Sequence, residues 1–123
     1  MLDTSVVIAV DVPPLEGELA ISAATLAQLH FGVLVARDAA TRAERLRRLS
    51  VLQRKFDALP LDDVVAASYG QLAAAVVDAG CQPRARTMDL LIAATAHAHS
   101  ARLYTRNAGD FIGADTLVEI VPV

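Results

Sequence analysis

Residues 87–110 read TMDLLIAATAHAHSARLYTRNAGD, and this stretch decides the fold. Thr87 is a typical helix N-cap, and the apolar spacing that follows it predicts a helix over Met88–His99. A strand is predicted over Leu103–Thr105, followed by a short turn or helix over Asn107–Ile112. Because a helix passes so quickly into a strand here, we expect an α/β domain with a largely parallel sheet.

The same alternation of helical and extended pieces continues toward both ends of the chain. The extended pieces are predicted at Leu2, Leu19–Ile21, Ala58–Leu61 and Leu117–Val121. The helices are predicted over Val6–Val10, Ala23–Val35, Thr41–Phe56 and Val64–Ala79. Thr4 or Ser5 caps the first of these helices, and Pro13 and Pro14 end it; Ser22 caps the second; Asp62 or Asp63 opens the last, which stops at Gly80. These pieces add up to a central, mainly parallel sheet of about five strands.

The composition is that of one compact domain. The chain has 123 residues, 54% of them hydrophobic, so residues 1–123 are predicted to form a single domain with one core. The only cysteine is Cys81, which excludes an internal disulfide, and no basic residue precedes Arg37 to start a signal peptide. No apolar run approaches the roughly 18 residues of a membrane span. We expect a soluble, cytoplasmic protein that makes no use of a membrane.

Charge is distributed unevenly along the chain. Four acidic residues and no basic ones precede Arg37, although the formal net charge is only −3. An acidic site beside a basic surface is what a metal-dependent enzyme acting on a polyanion needs, but a charged helix face is equally consistent with simple solvation. The basic residues that crowd together next are Arg37, Arg42, Arg45, Arg47, Arg48, Arg54 and Lys55.

Three aspartates lie where strands pass into helices or turns. Asp3 follows the first strand, Asp89 lies in the first turn of its predicted helix, and Asp110 follows the strand that ends at Thr105. Each alone has a structural explanation, as a helix cap, a favourable charge at a helix N-terminus or a turn residue. Together they converge at the carboxyl edge of a parallel sheet, where their charges repel unless a cation neutralises them. Hard oxygen ligands of this kind favour Mg²⁺ or Mn²⁺.

Four blocks of sequence carry a family resemblance. They are DTS (residues 3–5), ISAATLAQL (21–29), DLLIAATA (89–96) and TRNAGDF (105–111), and they span nearly the whole chain. In this order they resemble the signature blocks of PIN-domain ribonuclease toxins of the VapC type. The resemblance implies a PIN-like three-layer α/β/α fold. It also implies a set of site residues, namely metal ligation by Asp3, Asp89 and Asp110, support from Thr105 and Asn107, a nearby Ser5, and Asp115 as an additional metal-side carboxylate.

The resemblance further implies an activity, a partner and an oligomeric state. By analogy with the family, the chain would be an Mg²⁺- or Mn²⁺-dependent endoribonuclease that leaves a 5′-phosphate and a 3′-hydroxyl. It would form a homodimer, be inhibited by a small antitoxin protein, and act on transfer or ribosomal RNA. Because Arg84, Arg86 and Arg106 lie beside the last two blocks, we prefer them as contacts to RNA phosphates.

Two positions depart from the family pattern. Gln28 stands where the family has a glutamate, and a carboxamide brings no charge and cannot act as a base, so metal affinity should fall. A natural variant that works with three aspartates, a natural loss of activity and a deliberate inactivation are all open explanations. In addition, only Met1 and Leu2 precede Asp3, so the first strand is unusually short or the true start lies further upstream.

Two other function classes compete with the nuclease. A catalytically disabled PIN-like module would bind antitoxin or RNA without cleaving, and metal-dependent cleavage distinguishes it from the nuclease. A small phosphatase or other metal hydrolase is the third class, since a fold alone does not determine a substrate. Hydrolysis of a phosphomonoester in preference to RNA would favour that class.

Overall fold

The computed structural model describes all residues of the chain, 1–123. The helices predicted over residues 23–35, 41–56 and 64–79 are confirmed to within two residues at each end. None of the helices combines the length and the apolar character needed to cross a membrane. The elements are α1 (Thr4–Val7), α2 (Ala23–Leu34), α3 (Ala39–Lys55), α4 (Asp63–Asp78), α5 (Thr87–Ala98), β1 (Leu103–Thr105), β2 (Ile120–Pro122), and three 3-10 helices at Pro83–Arg86, Ala108–Phe111 and Ala114–Thr116.

The sheet is parallel and consists of very short pieces. β1 and β2 pair with Tyr104 opposite Val121. On the other side of β1, Leu2 forms one parallel bridge with Tyr104 and also donates a backbone hydrogen bond to the segment that precedes α2. Beyond it, Ser22 forms a further parallel bridge with Leu59. The order across the sheet is therefore the Leu59 segment, the Ser22 segment, the Leu2 segment, β1 and β2.

The prediction of about five strands is wrong in its count, although five extended segments are present. Only β1 and β2 are regular strands. Because α1 begins at Thr4 and α2 at Ala23, the bridged segments before them end after one or two residues. Pro60 follows the remaining segment and has no N–H with which to continue a ladder. The chain leaves the sheet almost as soon as it enters it.

Two helices, α2 and α4, begin at polar residues whose side chains cap them. The Ser22 hydroxyl accepts the N–H of Ala24 at 3.1 Å, and the Asp62 carboxylate accepts that of Val65 at 3.0 Å. Both predicted caps are therefore confirmed. The predicted stop of α4 is also confirmed, since Gly80 follows it with φ +82°, a conformation that glycine adopts without a Cβ clash.

The predicted cap of α5 is wrong. Thr87 is the first residue of the helix, because the 3-10 helix Pro83–Arg86 runs directly into it. The Thr87 hydroxyl instead donates to the backbone carbonyl of Arg84 at 3.1 Å. Proline at the start of that 3-10 helix sets the turn, so the chain already winds helically before residue 87.

α1 also differs from its prediction. It begins at Thr4 and ends at Val7, well before Pro13 can act, and neither Thr4 nor Ser5 is its N-cap. Asp3 occupies the N-cap position without making a side-chain cap hydrogen bond. The Asp3 carboxylate instead accepts hydrogen bonds from the hydroxyls of Ser5 and Thr105, which is why it does not cap the helix.

The core is centred on α5. Six of its twelve residues are buried, and several are alanines, so neighbouring helices can approach it closely. α4 packs along it through Val65, Leu72 and Val76, each almost fully buried. α3, in contrast, buries only Leu49. The helix that carries Asp89 in its first turn is thus the most firmly held element in the molecule.

Candidate active site

Asp3 is the buried anchor of the candidate site. Only 4% of its surface is exposed, and its Oδ2 accepts hydrogen bonds from Ser5 Oγ at 2.7 Å and from Thr105 Oγ1 at 2.8 Å. Its backbone N–H donates to the carbonyl of Tyr104 at 2.9 Å, which ties the carboxylate to the end of β1. A buried carboxylate needs such donors, because its charge loses the solvation of water.

The two hydroxyls that hold Asp3 are themselves held by the last sequence block. Thr105 Oγ1 lies 3.3 Å from Ser5 Oγ and accepts the backbone N–H of Asn107 at 3.0 Å. Ser5 Oγ accepts the backbone N–H of Arg106 at 3.0 Å. The structure therefore brings Ser5 and Thr105 to Asp3 directly, whereas Asn107 takes part through its backbone and has an exposed side chain.

Asp89 and Asp110 lie near this anchor without sharing its hydrogen bonds. Burial, together with the charges of Asp3 and Asp110, raises the pKa of Asp89 to about 6, and the charge of Arg86 partly offsets this rise. Asp110 is exposed on the 3-10 helix Ala108–Phe111. Asp3 and Asp110 are therefore near enough to act on the charge of Asp89, and their joint role as a metal site stays a prediction.

The three carboxylates fit a hard divalent cation by their chemistry. They supply oxygen ligands only, and a cation would relieve the repulsion that raises the pKa of Asp89. No three His, Cys, Asp or Glu side chains are drawn together closely enough to form a finished metal cage. The three aspartates therefore match a divalent cation in their chemistry, but they do not form a gathered set of ligands in this structure.

Gln28 is held by a hydroxyl that sequence reasoning missed. Thr4 Oγ1 donates to Gln28 Oε1 and also lies 3.2 Å from Oγ1 of the fully buried Thr25. The one oxygen of Gln28 that could ligate a metal is thus already an acceptor within the protein. Two sequence signals could have revealed this, because Thr4 directly follows Asp3 and Thr25 lies one helical turn before Gln28.

The three arginines predicted as phosphate contacts have different surroundings. Arg106 forms an ion pair with Asp11 at 2.8 Å, across 95 positions of sequence. Arg86 Nη1 donates to the backbone carbonyls of Asp110 and Ile112, each at 3.3 Å. Arg84 is exposed, and its side chain makes no hydrogen bond or ion pair. Of the three, only Arg84 is entirely free to meet a phosphate.

The Asp115 side chain stabilises the turn in which it lies. Its Oδ1 accepts the backbone N–H of Gly113 at 3.1 Å, and the side chain is otherwise exposed. Gly113 has φ +95°, and a Cβ there would lie 2.9 Å from the Cα of Val76 in α4. This turn is therefore packed against α4, and Asp115 is not among the charges that act on Asp89.

A groove of about 890 Å³ lies beside the site, between the loop that follows α1 and helix α3. Thr4 and Gln28 belong to its lining, so the groove reaches the candidate site. Most of the lining is apolar, and includes Val7, Val12, Leu15, Leu29, Leu52 and Phe56. Its basic side chains all come from α3, and are Arg45, Arg47, Arg48 and Lys55.

Comparison with known proteins identifies the family of the chain. The sequence profile of the PIN domain matches residues 1–115. Ribonuclease VapC8 of Mycobacterium tuberculosis (strain CDC 1551 / Oshkosh) is 38% identical over 100 residues, which cover 78% of this chain and 88% of that protein. Ribonuclease VapC5 of Mycobacterium tuberculosis (strain ATCC 25618 / H37Rv) is 34% identical over 131 residues, which cover 100% of this chain and 94% of that protein.

A solved structure gives the same result for the fold. VapBC-5 from Mycobacterium tuberculosis, a member of the VapBC family of toxin–antitoxin systems, superposes with a TM-score of 0.83 at 32% identity. The superposition covers 99% of this chain and 94% of that chain, so the predicted PIN-like α/β fold is confirmed. The chain belongs to the PIN domain family, among its members of the VapC type.

Proposed function

We propose that this chain is a divalent-metal-dependent endoribonuclease, the toxin of a toxin–antitoxin pair, that hydrolyses phosphodiester bonds in RNA. The observation that carries the proposal is the match of the PIN domain to residues 1–115, in a chain whose buried Asp3 carboxylate is held by Ser5 and Thr105. The relatives VapC8 and VapC5 are named ribonucleases, which supports RNA as the substrate. Transfer or ribosomal RNA, reached in the cytoplasm, is the substrate class that we propose.

The residues of the site have two proposed roles, binding of the cation and orientation of the carboxylates that bind it. Asp3, Asp89 and Asp110 would hold Mg²⁺ or Mn²⁺, which when bound supplies an activated water and neutralises charge on the scissile phosphate. Ser5 and Thr105 keep the Asp3 carboxylate in one orientation through their hydroxyl hydrogen bonds. Burial of this network keeps water from competing for the same donors.

Two arginines are suited to bind phosphates of the RNA backbone. Arg84 is exposed and has no side-chain partner in the protein. Arg106 is paired with Asp11, whose side chain is 73% exposed, and such an exposed ion pair stabilises a fold by only about 0–1 kcal/mol. A phosphate can therefore replace Asp11 as the partner of Arg106 at little cost.

A disabled binding module is the second candidate, and Gln28 is the observation that favours it. The Gln28 amide is neutral, and its oxygen already accepts the Thr4 hydroxyl. A site with three carboxylates in place of four holds a divalent cation less tightly, because each carboxylate contributes charge as well as an oxygen. The activity of this chain is accordingly proposed to be lower than that of the same chain with glutamate at position 28.

The groove beside the site fits an antitoxin segment with apolar and acidic side chains. Its apolar lining would bury the former, and the basic residues of α3 would attract the latter. The structural relative VapBC-5 belongs to a toxin–antitoxin family, which supports a protein partner for this chain. Charge reversal by Arg48→Glu is expected to weaken calorimetric binding of the cognate antitoxin, while Arg54→Glu, on the same helix but outside the groove, is the matched control. Equal affinity in both variants would contradict this assignment.

Pairing of two copies of the chain is also part of the proposal. α4 leaves apolar side chains exposed, including Val64 at 61% near its start and Val77 at 57% near its end. Burying such residues against a second copy would remove apolar surface from water. A molar mass measured by light scattering that remains that of one chain at high concentration would contradict the homodimer.

The experiment that tests the proposed activity is RNA cleavage by the purified protein with Mg²⁺ or Mn²⁺. The same assay is run on Gln28→Glu and on a chelated sample. Activity in both proteins would establish a nuclease that tolerates the amide. Activity only in Gln28→Glu would establish the site and the second candidate together, and activity in neither would reject the nuclease in favour of a binding role.

A further inference from the structure

Arg86 spans the two segments that carry Asp89 and Asp110. It is the last residue of the 3-10 helix that leads into α5, and its side chain is half-buried. Its Nη1 donates to the backbone carbonyls of Asp110 and Ile112, each at 3.3 Å and more than twenty positions away in sequence. A single guanidinium thus connects the start of α5 with the turn that presents Asp110.

The two carbonyls lie on either side of the anchor of that turn. Phe111, between them, is fully buried in the core. Within the turn, the N–H of Asp110 donates to the carbonyl of Asn107 at 2.9 Å, but the Asp110 side chain is exposed and accepts no hydrogen bond. Phe111 therefore fixes where the turn sits, and Arg86 is the contact that fixes how the turn is directed toward α5.

We infer that Arg86 is a positioning residue, which sets the place of Asp110 relative to Asp89, and not a contact to RNA phosphate. The inference rests on the proposed function, because it concerns the same carboxylate site. The Arg86 guanidinium would have to give up its hydrogen bonds to the two carbonyls in order to turn toward a phosphate. Its positive charge remains near the carboxylates and partly offsets the effects that raise the pKa of Asp89.

Arg84 provides a matched comparison two residues away. It lies on the same 3-10 helix, carries the same charge and is exposed, but its side chain has no partner in the protein. A substrate contact and a positioning residue therefore occur side by side in one short element. Substitution of each should change different measurements, which makes the distinction testable.

The test compares Arg86→Met, Arg86→Lys and Arg84→Met by two independent measurements. The first is hydrogen exchange at the Asp110 amide in chelated protein, which reports how firmly the turn is held without any metal or RNA. We expect about ten-fold faster exchange in Arg86→Met, partial recovery in Arg86→Lys, and no change in Arg84→Met. Amides within α5, such as that of Ala94, serve as the internal reference for global opening.

The second measurement is steady-state RNA cleavage in the presence of Mn²⁺. Arg86→Met is expected to lower kcat about ten-fold with KM within two-fold of the wild-type value, because a misplaced ligand slows the chemical step more than it weakens RNA binding. Arg84→Met is expected to raise KM instead. Arg86→Lys, which keeps the charge and a donor, is expected to recover part of kcat.

Several outcomes would overturn the inference. Unchanged exchange at Asp110 together with a raised KM in Arg86→Met would make Arg86 a phosphate contact like Arg84. Equally faster exchange at Ala94 and Asp110 in both Arg86 variants would show a global loss of stability and no local role. If the wild-type protein cleaves no RNA, the proposed function fails, but the exchange measurement still decides whether Arg86 holds the turn.

Discussion

The candidate site has two halves, one formed by Asp3 and the other by Asp89 and Asp110, and their carboxylates have opposite surroundings. Asp3 is buried, and its carboxylate accepts two hydroxyl hydrogen bonds, so the protein itself stabilises that charge. The carboxylates of Asp89 and Asp110 accept no hydrogen bond, and burial together with the other two charges raises the pKa of Asp89 to about 6. The Asp3 half is therefore balanced by the protein itself, whereas the Asp89 and Asp110 half is left unbalanced, since Arg86 offsets its charge only in part.

The largest expected effect comes from removing charge in the unbalanced half. Asp89→Asn keeps the volume of the side chain but removes a carboxylate, and we expect metal-dependent RNA cleavage to fall about a thousand-fold, since metal charge stabilisation is worth several kcal/mol. The measurement is the cleavage rate with Mn²⁺, with circular dichroism to check the fold. A rate like that of the wild-type protein would show that Asp89 is no part of the site.

The next effect tests the balanced half. Thr105→Val removes a fully buried donor to Asp3 and leaves the carboxylate short of one hydrogen bond, so we expect a loss of about 2 kcal/mol in the free energy of unfolding. Thr105→Ser keeps the hydroxyl and is the matched control, with a smaller loss from the missing methyl group. Urea unfolding measures both. A loss in Thr105→Ser with none in Thr105→Val would mean that packing matters at this position and the hydrogen bond to Asp3 does not.

Stability should also depend on pH through Asp89. Its pKa is higher in the folded protein than the ordinary value of 3.8, so the folded state binds this proton more tightly than the unfolded state. The resulting stabilisation is complete below about pH 4 and is lost as the pH rises through about 6. For a fully buried group this rise in pKa corresponds to about 3 kcal/mol, and the partly exposed side chain reduces it to about 1–2 kcal/mol.

Asp89→Asn isolates this contribution. In chelated protein we expect the variant to be more stable than the wild type by about 1–2 kcal/mol at pH 7 and no more stable at pH 4. Denaturant unfolding of the two proteins at both pH values provides the difference, in which all other titrating groups cancel. If the difference in the free energy of unfolding between the two proteins is the same at pH 4 and pH 7, the charge of Asp89 does not affect the stability of the fold.

The contrast between the two halves also explains what could be predicted from sequence. Asp3, Asp89 and Asp110 could be predicted to lie at one edge of the sheet, because each follows a strand or opens a helix, and parallel strands end at one edge. The caps Ser22 and Asp62 could be predicted because they act on N–H groups two or three residues away. Helix caps and the positions of residues at strand ends can therefore be predicted from a single sequence.

Contacts between distant segments could not be predicted in this way. The ion pair of Arg106 with Asp11 and the hydrogen bonds of Arg86 to the Asp110 turn join residues far apart in sequence, and no spacing rule specifies them. The misplaced cap at Thr87 has a similar cause, since the preceding 3-10 helix had already begun the winding. Strand number was overestimated because a strand signal does not tell how soon a helix interrupts it.

The smallest expected effect concerns Gln28, which belongs to neither half. Its oxygen accepts the Thr4 hydroxyl as a neutral acceptor, so this position adds no charge to the repulsion around Asp89. In Gln28→Glu the Thr4 hydroxyl can donate to the new carboxylate just as well, and the added charge should tighten Mn²⁺ binding about ten-fold. Calorimetric titration of both proteins with Mn²⁺ measures the difference, and Gln28→Ala, which lacks an oxygen altogether, distinguishes a weak amide ligand from none. If Gln28→Glu binds Mn²⁺ no better than the wild type, residue 28 does not reach the cation, and the three aspartates are then the whole of its carboxylate shell.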